Sequence, residues 1–96
     1  MKTENLLRAI QIGEQVNSKY VAVLKVINEV SDATGIPVAA IRGPRRTAKL
    51  ALVRQFAMYV AREETDAPIT TIAAAFNRDH STVIYGIKAE AARRER

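Results

Sequence analysis

Ile69-Thr70-Thr71-Ile72-Ala73-Ala74-Ala75-Phe76-Asn77-Arg78-Asp79-His80-Ser81-Thr82-Val83-Ile84-Tyr85-Gly86-Ile87 is the stretch that decides the fold. Pro68, just before it, suits a first helical turn, and Ile69, Ile72, Ala73 and Phe76 recur at the spacing of one helical face. Asn77-Arg78 predicts a tight turn, Asn being one of the few residues that tolerate a left-handed conformation. Asp79 stands where an N-cap belongs, ahead of a second periodic run through Val83, Ile84, Ile87 and Ala91 toward Arg96. Two helices, a tight turn and a second helix that opens on polar residues make a helix-turn-helix unit.

Upstream, Thr47 to about Glu64 predicts the longest helix, with Leu50, Val53, Ala57 and Val60 within a sector of about 80° as its core face. The same arithmetic puts Arg54, Gln55 and Arg62 on one solvent-facing flank, where their polar ends would line up along a duplex backbone. Before this helix, Arg42-Gly43-Pro44-Arg45-Arg46 breaks regular structure, and Ile36 to Ile41 reads as a short apolar turn. Ser18 to Thr34 predicts a further helix with Tyr20, Val23, Leu24, Ile27 and Val30 on one side and Gly35 as its left-handed cap. Thr3 to about Lys19 is a separate, weaker helix with a stripe of Leu6, Leu7, Ile10 and Val16, in which Gly13 costs about 1 kcal/mol against Ala. The expected organisation is an N-terminal helical arm over 1–19 and an all-α helix-turn-helix domain over 20–96.

The 96 residues are 48% apolar and 26% charged, enough for one small core. Residues 1–41 hold four basic and four acidic side chains, whereas 42–96 hold eleven and six, so the net charge of +5 belongs to the second half. From Arg42 to Arg62 there is no acidic residue at all, a block that favours a polyanion. With no Cys and a single histidine, His80, neither a disulfide framework nor a Cys/His metal site is expected. No apolar run approaches the roughly 18 residues of a membrane span, so a cytoplasmic, nucleoid-associated protein is expected.

Arg78-Asp79-His80-Ser81-Thr82-Val83 closely resembles the signature of the C-terminal DNA-binding domain of the bacterial chromosomal replication initiator DnaA. Val53 to Tyr59 resembles that family's basic helix, Arg62 to Thr65 its end, and Ile72 to Phe76 the first helix of its helix-turn-helix, so the likeness covers about residues 20 to 90. It implies an all-α fold of the DnaA C-terminal, Trp-repressor-like kind, and double-stranded DNA as partner. By the resemblance, Arg78, Asp79, His80 and Ser81 meet bases in the major groove and Arg46 enters the adjacent minor groove. Phosphates fall to Arg45, Arg54, Gln55, Arg62 and Thr82, with Lys88, and more weakly Tyr85, added because they face outward on the helical wheel. The wheel alone places His80 among Val83, Ile84 and Ile87 at the edge of the core, and that alternative stays open.

Two departures stand out. The family usually has two glycines between the Phe and the Arg of its signature, and this chain has only Asn77. Among its four glycines there is no Gly-x-x-x-x-Gly-Lys-Ser/Thr loop, so no nucleotide cofactor is expected, and with no second histidine, no cysteine and no carboxylate cluster to join Asp79 and His80, no enzymatic activity is expected either. With Met1 as its start, the chain is expected to act alone, as a small regulator or a competitor at DnaA-box-like sites. The alternative is a helical interaction module that dimerises or takes a protein partner through residues 1–19 and binds DNA only secondarily.

Overall fold

The computed structural model describes residues 2–96 apart from the side chain of Val16, whose place in the N-terminal stripe lies outside the described residues. Five helices follow in order: α1 (Thr3–Thr34), α2 (Val38–Arg42), α3 (Ala48–Glu64), α4 (Ile69–Phe76) and α5 (His80–Arg94), with no strand among the described residues. Also among them, no helix is long and apolar enough to cross a membrane.

The predicted break near Lys19 is absent. α1 is one helix of 32 residues, about 48 Å at 1.5 Å per residue, and it sets the longest dimension of the molecule, 52 Å. Gly13 sits in the helix with nothing within 4 Å of a notional Cβ, so its entropic cost is local and the backbone ladder runs on through it. Every described side chain from Lys2 to Lys19 is exposed, and burial begins at Tyr20. Gly35 ends the helix in the left-handed region (φ 74°), its N–H donating to Ser31 O.

The segment after Pro37, read as a turn, closes into the short helix α2 and buries Ile41. Thr47 caps α3 by accepting from Leu50 N at 3.1 Å. Val23, Ile27, Ile41, Ala57, Met58, Ala61, Ile72, Phe76 and Val83 form the centre of a single core to which all five helices contribute. Along α3 the buried face is Leu50, Arg54, Ala57, Met58 and Ala61, while Val53 and Val60 are only half-buried, so the helix is rolled from the predicted stripe. α5 is rolled as well: Val83 and Gly86 are buried, whereas Ile84, expected inside, is 40% exposed.

Candidate nucleic-acid interface

The turn between α4 and α5 is built as its residues dictate. Asn77 adopts φ 54°, and Asn77 N and Arg78 N donate to Ala74 O and Ala73 O, which closes α4 with the paired bonds of a Schellman ending. Asp79 Oδ1 accepts from Thr82 N at 2.9 Å and opens α5. That backbone hydrogen bond, with a second from the Thr82 side chain, holds the Asp79 carboxyl below the usual carboxylate range. His80, Ser81 and Thr82, in the first turn of α5, are all exposed, so His80 is not at the core edge.

Arg54 is the clearest correction. It is not on a wet flank: it is 6% exposed, and its guanidinium donates to three main-chain carbonyls. Nε reaches Ile41 O and Nη2 reaches both Ala40 O and Gly43 O, each at 2.9 Å. Arg78, expected to point outward, turns back in the same way, with Nη1 on Phe76 O and Asn77 O and Nη2 on Gly43 O at 2.6 Å. Arg42, which the sequence reading did not single out, donates to Ala75 O (2.6 Å) and Tyr20 Oη (3.1 Å), and its own carbonyl accepts from Asn77 Nδ2. Three arginines thus stitch the α2 segment to α1, α3 and the turn. Burial, then the charges of Arg78 and Arg46, pull the Arg54 pKa below its ordinary value. Arginine's intrinsic basicity nevertheless leaves it a cation.

A cleft of about 310 Å³ lies between the loop, α3 and α5. Arg46, Arg54, Gln55, Arg78, Thr82 and Tyr85 line it, and no carboxylate does. Arg46 is exposed at its edge, and Tyr85 is 68% exposed. α3 and α5 approach closely here because residue 86 is glycine, where a Cβ would stand 2.8 Å from Met58 Sδ and 3.2 Å from Gln55 Cγ. Arg45, Ser81 and Lys88 are exposed outside the cleft lining. Arg62, though exposed, is not brought to the cleft and donates to Ala67 O across the α3–α4 loop.

The end of α5 is tied down by its own side chains and by α3. Glu90 pairs with Arg93 and Arg94 at 3.1 Å each. Arg94 stacks 4.2 Å from the centroid of Tyr59, and Arg93 Nη2 donates to Gln55 Oε1 at 2.7 Å. The Glu90 spacing to Arg93 and Arg94, at three and four residues, was legible in the sequence. Its link to α3 was not.

The family model described as "Bacterial dnaA protein helix-turn-helix" matches residues 23–89. The chain is 44% identical over 66 residues to the chromosomal replication initiator protein DnaA of Mycobacteroides abscessus, covering 69% of this chain and 13% of that protein. It is 35% identical over 79 residues to the chromosomal replication initiator protein DnaA 2 of Protochlamydia amoebophila, covering 82% of this chain and 18% of that one. The chain therefore spans less than a fifth of either relative. No solved structure matches it. A helix-turn-helix of the expected geometry, a family match over most of the chain and these two relatives lead to one conclusion: the chain belongs to the bacterial DnaA helix-turn-helix family, an all-α DNA-binding domain.

Proposed function

We propose that this domain binds double-stranded DNA with α5 in the major groove and the Arg45–Arg46 loop in the adjacent minor groove, at DnaA-box-like sites, as a nucleoid-associated regulator or competitor. The observation that carries the reading is the convergence of Arg46, Arg54, Gln55, Arg78, Thr82 and Tyr85 on one carboxylate-free cleft beside the exposed first turn of α5. Asp79, His80 and Ser81 read bases, and Arg46 enters a narrow A·T-rich groove where negative potential is concentrated. Gln55 and Thr82 meet phosphates from the cleft wall, and Arg45, Arg62 and Lys88 supply exposed cations for the backbone. Arg54 meets phosphate through Nη1, which has no acceptor among the described residues. Arg78 reaches the groove only by its Nε, and its main part is to hold the turn.

Fluorescence anisotropy with an A·T-rich box duplex and a scrambled duplex of equal composition, each titrated over a range of salt, tests this. Tighter binding to the box that persists at high salt is the expected outcome. Equal binding to both duplexes would remove the site preference, and no binding at low salt would sink the proposal.

A second reading has its own observation: Leu6, Leu7, Ile10 and Ile12 are each about half exposed on the unpacked part of α1. A dimerising arm would double the mass in solution and require paired half-sites in DNA. Light scattering on the intact chain and on a Leu6→Glu, Ile10→Glu variant separates the two readings.

A further inference from the structure

Gln55 lines the cleft, but its carboxamide is not free to turn. Oε1 accepts from Arg93 Nη2 at 2.7 Å, and Arg93 Nε and Nη2 are in turn held by Glu90 Oε1 at 3.2 and 3.1 Å. Glu90 is largely buried, its side chain 13% exposed, and its other oxygen engages Arg94 at 3.1 Å, which stacks on Tyr59 of α3. Gly86 brings α5 onto the Gln55 side chain from the same side. With its acceptor oxygen committed, the Gln55 amide has only its NH2 group left, a pure donor with no acceptor among the described residues, on the wall of a cationic cleft. An amide that was free to flip would present the donor about half the time, and the oxygen would repel a phosphate.

We infer that Arg93, braced by Glu90, is a positioning residue for DNA binding: it locks the Gln55 amide so that its NH2 group meets a backbone phosphate. The inference rests on the reading of the cleft as the duplex-binding face. Glu90 and Arg93 both lie beyond residues 23–89, the part of the chain that the family model matches.

Charge alone makes the opposite predictions, which gives the test its force. Arg93 as a direct phosphate contact would release a counterion, so Arg93→Ala would flatten the salt dependence by about 0.9. As a positioning residue, Arg93→Ala lowers duplex affinity about fivefold to tenfold with the slope unchanged. Because both variants remove one interaction, the Arg93→Ala, Gln55→Ala double variant is no weaker than Gln55→Ala. Glu90→Ala removes a negative charge and should tighten binding by simple electrostatics; the inference expects it to weaken binding about threefold. Anisotropy titrations of the full chain over a range of salt, with melting curves confirming that each variant is folded, read all of this. A slope change of about 0.9 with additive losses, or tighter binding by Glu90→Ala, overturns the positioning role and leaves the interface intact. An unchanged affinity for Gln55→Ala removes the Gln55 contact and the inference with it, and a wild-type chain that fails to bind duplex removes the parent reading.

Discussion

Arg54 behaves as a core residue that happens to be charged. Its guanidinium donates to three carbonyls of α2 and the following loop, two of which, Ala40 O and Ile41 O, have no other donor among the described residues, so truncation strands acceptors as well as opening space. Arg54→Ala is expected to cost about 2 to 4 kcal/mol, and the resulting drop in melting temperature should be on the order of 10 °C. Arg54→Lys should recover little of it, since one ammonium group cannot span acceptors arranged for a planar fork. Asp79 makes a separate, pH-dependent contribution. Its folded pKa is depressed, so the stabilisation is complete above the unfolded carboxylate pKa and is lost as pH falls through the folded value. Melting curves below about pH 4 should fall more steeply for the wild type than for Asp79→Asn, which caps without titrating.

At the level of elements, the helix-turn-helix was legible because its signals are local. Pro68 before α4, Asn77 in the left-handed region, Asp79 as cap and the three-and-four spacing of Ile72, Ala73 and Phe76 each act within a few residues of where they stand. What was not legible depends on partners distant in sequence. The wheel for α3 assumed that an arginine faces water, yet Arg54 lies one turn from both Leu50 and Met58, and only the carbonyls of residues 40–43 make it an inner residue. The helix break expected near Lys19 failed for another reason: a weak stripe argues against packing rather than against helicity, the single Gly13 costs only about 1 kcal/mol, and no proline interrupts the ladder. The α3–α5 contact supplies its own prediction. Gly86→Val adds two methyl groups where the first carbon already has no room, and should cost on the order of 2 kcal/mol by melting analysis while weakening duplex binding through displacement of Gln55.

For the whole molecule, stability and reach are divided along α1. The described side chains of residues 2–19 add length and no burial, so a chain shortened to begin at Ser18 should melt within about 3 °C of the full chain, while hydrogen exchange in the full chain should show the arm opening far more readily than residues 20–34. The three arginines that stitch α2 in place have a different consequence. Arg54 and Arg78 both end on the carbonyl of Gly43, an atom that every amino acid possesses, and the side chains that hold α5 at its angle are not those displayed at His80, Ser81 and Thr82. At His80 and Ser81, unlike at the capping Asp79, mount and reading head are separate parts. Drift or selection can rewrite these two displayed positions without disturbing the bracket, so a new sequence taste can evolve here by exchanging a letter or two rather than by rebuilding a domain.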